Sequence, residues 1–244
     1  MIEPTLAGRV ALITGASGGI GGALGRRLIE AGVRVAFAYG RRPEQPEQLV
    51  AEAKEAGLDA VALRGDLADP RVPARLVRET TDALGPIDLL IPNAGHGRQQ
   101  HFTEIDLESW QRTLAVNLTA PFLLAQQVVP GMAERGFGRL LFVSSVAAFT
   151  GGSVGAHYAA SKAGLHGMLH HIAARVATQG VTVNAVAPML IEDTEMLPAT
   201  ADPSRVPVRR LGRPQEVADL AMAVLRNGYL TNQVLSLDGG SYPR

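Results

Sequence analysis

The chain is expected to fold as one α/β domain, a doubly wound sheet of seven parallel strands with helices on both faces. Three features of the sequence carry that expectation. Short, almost continuously apolar runs recur along the 244 residues, as strands covered on both faces require. Segments of helical period separate them. A glycine-rich turn follows the first run and leads straight into a helix, the usual build of an anion site. Composition agrees, because 46% hydrophobic and 19% charged residues suit a chain that buries a single large core.

The first strand is RVALITG at 9–15. In the following GIGGALGRRLIEAG, Ile20, Ala23, Leu24, Leu28 and Ala31 fall on one helical stripe that stops at Gly32, a natural C-terminal cap. VRVAFAY (33–39) is the second strand, followed by a helix from about Glu44 to Ala56 closed by Gly57, and then the strand DAVALR (59–64). IDLLI (87–91), GRLLFVS (138–144), VTVNAVA (181–187) and QVLSL (233–237) complete the set, with helical segments between them. Repeats, linkers and low-complexity stretches do not interrupt the pattern, so one domain over 1–244 is expected.

Charge and composition exclude several classes of function. Basic and acidic residues balance at 23 each, with no polybasic run, so neither nucleic acid nor an anionic membrane surface is an expected partner. The chain has no cysteine, which removes disulfide scaffolds, thiolate zinc sites and cysteine nucleophiles together. The start MIEPTLAGRV lacks a basic and then apolar leader, and no run approaches the ~20 apolar residues of a membrane span. A cytoplasmic location is expected.

In such a sheet, ligands bind beyond the carboxyl ends of the strands. After the first strand the chain reads TGASGGIG, with glycines at 15, 19 and 21. These permit a tight turn, close approach of a pyrophosphate and a helix N-terminus facing it. The spacing GxxxGxG only approximates the general dinucleotide fingerprint. After the second strand come Tyr39, Gly40, Arg41 and Arg42. An NAD site wants an acid there, and a 2′-phosphate wants the acid gone and a cation nearby, so NADP(H) is expected over NADH. Asp66 follows the third strand, placed either to meet the adenine edge or to cap the next turn. Asn93, Ala94 and Gly95 end the fourth, where small residues let backbone approach a ribose.

Tyr158 and Lys162 are i and i+4 on a helix whose apolar stripe is Leu165, Met168, Leu169, Ile172 and Val176, so they share a face. A phenol with an ordinary pKa near ~10 is a poor proton shuttle at neutral pH, and a nearby ammonium favours its ionised form. Lysine supplies that charge and can hold ribose hydroxyls as a compact donor. Lys162 is one of only two lysines in the chain, the other being Lys54. Ser145 ends the fifth strand, 13 residues before Tyr158, within reach of a loop that could bring its hydroxyl to a carbonyl oxygen. Asn117 lies in the apolar helical segment SWQRTLAVNLTAPFLLAQQ, where its amide needs a partner; a water in a proton path would suit it.

Together these residues resemble the short-chain dehydrogenase/reductase superfamily over nearly the whole chain, from TGASGGIG through NAG, Asn117, Ser145 and YAASK to LDGG at 237–240. Within it the sequence is most similar to the β-ketoacyl-[acyl carrier protein] reductase branch. The resemblance implies a Rossmann-type domain and a Ser145, Tyr158, Lys162, Asn117 tetrad. In it Tyr158 is the general acid or base, Ser145 orients the carbonyl, Lys162 binds the nicotinamide ribose and tunes Tyr158, and Asn117 holds a relay water. It implies NADP(H) contacts from Gly15, Ser17, Gly18, Gly19, Ile20 and Gly21, from Tyr39, Arg41, Arg42, Asp66 and Leu67, and from Asn93, Ala94 and Gly95. Tyr158, Lys162, Pro188, Ile191 and Thr194 complete that set. His96, Ser145, His157 and Met189 are the candidate substrate contacts. A homotetramer is implied, with a small-molecule ketone or an acyl or polyketide thioester, free or carried by an acyl carrier protein, as substrate.

The chain departs from the family pattern at Gly18, where many NADPH users have Arg, and at Pro188-Met189, where Pro-Gly is usual. The lid over about 189–213 is short, so an open pocket that accepts a bulky or tethered substrate is expected. Of two basic positions near the pocket that meet carrier proteins in relatives, Arg135 keeps one and Gln179 replaces the other; Arg205 and Arg209 could compensate. His166, His170 and His171 lack the acid of a metal motif and are expected on the exposed or subunit-contact face of their helix, with no metal bound. The competing functions are a dehydrogenase of a free small sugar, polyol or cyclic alcohol, and a catalytically silent NADP-binding sensor or scaffold.

Overall fold

The computed structural model describes residues 5–197 and 201–242. Seven strands, β1 (Val10–Thr14), β2 (Arg34–Tyr39), β3 (Ala60–Arg64), β4 (Leu89–Ile91), β5 (Gly138–Val143), β6 (Val181–Pro188) and β7 (Val234–Leu237), pair in the order β3-β2-β1-β4-β5-β6-β7. All six pairings are parallel. The expected strands are all present, with ends displaced by one or two residues.

Helices α1 (Gly19–Glu30), α2 (Glu44–Glu55) and α8 (Pro214–Arg226) cover one face, while α3 (Val72–Leu84), α5 (Ala120–Glu134) and α7 (Ala156–Val176) cover the other. The two-residue period of a strand divides the core between these layers. In β1, Ala11 and Ile13 join Leu24, Leu28 and Val217 on the first face, while Val10 and Leu12 join Leu76, Leu124 and Leu165 on the second. In β5, Leu141 and Val143 serve the first face, and Leu140 and Phe142 the second. That double burial is why the strands read as unbroken apolar runs.

Two shorter helices, α4 (Leu107–Leu114) and α6 (Ala147–Thr150), stand at the carboxyl end of the sheet. Asp106 starts α4 by accepting a hydrogen bond from the Ser109 N–H at 2.7 Å, the usual N-cap arrangement. Between α4 and α5 the chain takes a π turn over Ala115–Thr119, which sequence periodicity did not foreshadow. The chain winds outward in opposite directions from β1 and β4, and this reversal opens a crevice above the carboxyl ends of the strands. Among the described residues no helix is long and apolar enough to cross a membrane.

Candidate active site

A cleft of about 1040 Å³ occupies that crevice. Every expected cofactor position lines it, from Gly15, Ser17, Gly18, Gly19, Ile20 and Gly21 in the β1–α1 turn to Tyr39, Arg41 and Arg42 after β2. Asp66 and Leu67 follow β3, Asn93, Ala94 and Gly95 follow β4, and Tyr158, Lys162, Pro188, Ile191 and Thr194 close the far side.

The β1–α1 turn is tied to the end of β4. Gly15 has φ +70°, and a Cβ there would sit 2.7 Å from the Ala94 Cα, so only glycine fits. The buried Thr14 hydroxyl accepts from both Asn93 N and Ala94 N at 3.1 Å, and the Asn93 amide donates to the carbonyls of Thr14 (2.9 Å) and Gly15 (3.1 Å). The faces presented to the cleft, by contrast, are bare. A Cβ on Gly18 would meet nothing nearer than the Gly15 carbonyl oxygen at 3.6 Å, and one on Gly95 nothing nearer than Lys162 Nζ at 3.8 Å. A side chain at either place would fill the cleft itself, so the residues present fit a nicotinamide dinucleotide.

After β2, Arg41 and Arg42 are exposed. Arg42 pairs with Glu195 of the lid segment. Asp66 takes the cap reading, its Oδ1 accepting from Ala68 N at 3.0 Å. Arg112 of α4 also approaches it at 3.2 Å. Together the two hold its carboxyl below the usual range, the backbone bond contributing most. Arg112 lines the cleft and was not anticipated, because its distance of 46 residues from Asp66 in the chain leaves no local signal.

Tyr158 and Lys162 project from α7 and are 7% and 3% exposed, facing the end of β5. The Ser145 hydroxyl accepts from Ala147 N at 3.1 Å and neighbours the Tyr158 phenol. Burial pushes the Tyr158 pKa up, and the polar Ser145 hydroxyl beside it opposes that rise. Lys162 Nζ donates to the Val143 carbonyl at 2.7 Å and lies 5.8 Å from the phenol ring centroid. Burial lowers its pKa to about 8. The Lys162 charge is thus directed at the β5 carbonyl, and the phenol's immediate neighbour is Ser145.

Asn117 does not reach the cleft lining. Fully buried on the π turn, it accepts from His96 N at 2.7 Å and donates to the His96 carbonyl at 2.8 Å and to Ser161 Oγ at 3.0 Å. Ser161 Oγ in turn donates to the Tyr158 carbonyl at 2.7 Å. The amide therefore fastens the loop after β4 to α7. A relay water on this side chain, as expected above, would have to compete with those bonds.

Of the substrate candidates, Ser145, His96 and Met189 line the cleft. Burial, with the Arg112 charge second, lowers the His96 pKa. His157 does not line it. It is 1% exposed with its Nδ1 unpaired, because α7 turns position 157 inward toward Gly155. Val154, Met196 and Leu197 line the cleft instead. The apolar character of the 146–154 and 196–197 segments was the available signal. Lid residues Ala201, Asp202 and Arg205 also border the cleft, while residues 198–200 of the expected lid lie outside the described residues.

Two further expectations are corrected. Arg135 and Gln179 precede β5 and β6 and so stand at the amino edge of the sheet, opposite the cleft. Arg135 donates to the Ile87 carbonyl at 2.7 Å and faces Asp88. His166 is half-buried and bonded to Ser144, not on the outer face; His170 and His171 are exposed. Among the described residues no group of three or more metal-ligating side chains occurs.

A doubly wound sheet with a phosphate turn and a Ser/Tyr/Lys cluster on one cleft defines a nucleotide-dependent oxidoreductase. The short chain dehydrogenase family model matches residues 9–204, and the chain belongs to that family. It is 36% identical to acetoacetyl-CoA reductase of Cupriavidus necator, over 95% of this chain and 97% of that one. It is also 36% identical to 3-oxoacyl-[acyl-carrier-protein] reductase of Synechocystis, over 96% and 97%. A short chain dehydrogenase from Burkholderia cenocepacia in complex with NADP superposes with a TM-score of 0.89 at 32% identity, covering 98% of this chain and 99% of that one.

Proposed function

We propose that the chain is an NADPH-dependent ketoreductase that converts a 3-oxoacyl thioester or a polyketide-like ketone to its alcohol. The observation that carries this reading is the Ser145 hydroxyl set beside the Tyr158 phenol and buried Lys162, in the same cleft as the glycine turn and Arg41 and Arg42. The similarity to reductases of acetoacetyl-CoA and 3-oxoacyl substrates and to NADP and NADPH complexes supports it.

Gly15 to Gly21 would hold the pyrophosphate, Arg41 and Arg42 the 2′-phosphate, and Lys162 the nicotinamide ribose. The bound nicotinamide supplies the hydride. The Ser145 and Tyr158 hydroxyls orient the carbonyl oxygen in a dry pocket. Tyr158 gives that oxygen its phenolic proton, so the ketone gains a hydride on carbon and a proton on oxygen, and Ser145 and the Lys162 ammonium stabilise the phenolate left behind. Arg135 is engaged internally at the opposite edge of the sheet, which favours a coenzyme A thioester or free ketone over a carrier-bound one. A cytoplasmic location is part of the proposal.

A homotetramer is part of the proposal. An apolar hollow of about 420 Å³ between α5 and α7, lined by Leu118, Thr119, Phe122, Met168, His171 and Ile172, supports it.

The test is NADPH consumption with a panel of an acetoacetyl thioester, an aromatic polyketide-like ketone and a simple cyclic ketone. Thioester turnover supports the proposal. Turnover of the cyclic ketone alone selects the free-alcohol dehydrogenase, and silence throughout overturns the ketoreductase reading. Replacing Arg41 and Arg42 by Ala is expected to raise the KM for NADPH about tenfold or more while leaving that for NADH nearly unchanged.

A further inference from the structure

The geometry points to His166 as a positioning residue: one imidazole holds both ends of the segment that carries Ser145 and so sets the Ser145 hydroxyl against Tyr158. This rests on the ketoreductase reading.

His166 follows Lys162 by one helical turn and Tyr158 by two, so the three form a row on α7. Its Nε2 lies 2.8 Å from the Ser144 hydroxyl. Ser144 is the residue immediately before Ser145, is 3% exposed, and is anchored to β6 by its N–H, which donates to the Val186 carbonyl at 2.8 Å. The Ser144 hydroxyl also approaches the Lys162 carbonyl at 3.4 Å, a weaker contact. On its other side the His166 ring packs on Phe149, with centroids 4.6 Å apart and planes inclined by 40°. Phe149 belongs to α6, the short helix that starts two residues after Ser145.

Ser145 therefore sits between two contacts to a single ring on the helix that bears Tyr158. A leucine at 166 could keep the packing on Phe149 but not the hydrogen bond, and Ser144 would be left with the long contact to Lys162. Displacement of a catalytic hydroxyl by ~1 Å can cost up to about a hundredfold in rate, so a residue that never touches substrate can control turnover through this link.

The test compares His166→Leu, His166→Gln, Ser144→Ala and the Ser144→Ala/His166→Leu double variant, with melting temperature recorded for each. His166→Leu should lower kcat about tenfold while the KM for NADPH changes less than about twofold. His166→Gln, whose amide can still reach Ser144, should recover most of the loss. The double variant should be no worse than either single one, as coupled positions require. A kcat within about twofold of the parent for His166→Leu, equal losses for Leu and Gln, or additive losses would each overturn the assignment. A crystal structure of His166→Leu reads the same point without catalysis. Ser145 Oγ out of hydrogen-bond reach of Tyr158 supports the inference, and an unchanged position refutes it. If the parent enzyme reduces no ketone, the functional reading fails and that crystal structure alone decides the role of His166.

Discussion

Lys162 keeps its ammonium where water cannot stabilise it, with one carbonyl as compensation, and its pKa falls to about 8. In the folded protein it therefore loses its proton between about pH 8 and the ordinary lysine range near ~10, where the unfolded chain still binds one. The fold pays a penalty below pH 8 that is relieved as pH rises through this window, because stability increases with pH wherever the unfolded state holds more protons. The unfolding free energy of the parent, measured against Lys162→Met, should accordingly rise between pH 7 and 10; a constant difference would place the lysine in an ordinary environment. Function runs the other way. If Lys162 holds the ribose as a cation, kcat/KM for NADPH should decline as pH rises past about 8, and a decline beginning only near ~10 would contradict it. Tyr158→Phe should reduce kcat by about a thousandfold or more with NADPH affinity nearly intact. Turnover within tenfold of the parent would remove the phenol from its assigned role. These residues were legible from spacing and type. His166 was not, since one histidine of a cluster of three reads as surface until the fold brings Ser144 to it across 22 residues.

The strands, the glycine turn and the main helices were legible because each writes its environment as a local period, two for a strand and 3.6 for a helix. What escaped is what depends on contact between elements. Asn117 was noticed as a polar intruder in an apolar helix, but its partners are His96, 21 residues earlier, and Ser161, 44 residues later. The π turn that presents it inserts an extra residue per turn without any compositional mark, and such insertions concentrate at functional sites. His157 failed for the opposite reason, since adjacency to Tyr158 in sequence places it about 100° around the helix from Tyr158. The Asn117 bonds make a specific prediction. Asn117→Leu leaves the His96 N–H and carbonyl and Ser161 Oγ without their partner, and about 2 to 4 kcal/mol of stability should be lost in denaturant unfolding. Because His96 is bonded to this amide directly and the Tyr158 carbonyl through Ser161, kcat should fall as well, even measured well below the new melting temperature. A variant as stable and as active as the parent would show that the bonds are dispensable.

At the scale of the molecule, the two faces of α7 have separate tasks. Tyr158, Lys162 and Leu165 face inward to the site and core, while Met168, His171 and Ile172 border the hollow shared with α5. Phe122 stands beside them and is 45% exposed. Exposed apolar surface of this kind, rimmed by polar residues, marks an interaction site, and a second copy meeting it across a two-fold axis would bury the same patch on both chains. The helix that carries Tyr158 would then be clamped between its own sheet and a partner, so assembly and the proposed turnover would be coupled. Phe122→Glu places a carboxylate at that contact, where pairing would bring like charges together and strip them of water. The variant should elute as a smaller species than the parent in size-exclusion chromatography with light scattering. Its melting temperature should become lower and less dependent on protein concentration, and its kcat should fall although no residue of the cleft has changed. Parent and variant of equal mass, both monomeric, would remove the tetramer from the proposal and leave the hollow without a second copy to fill it.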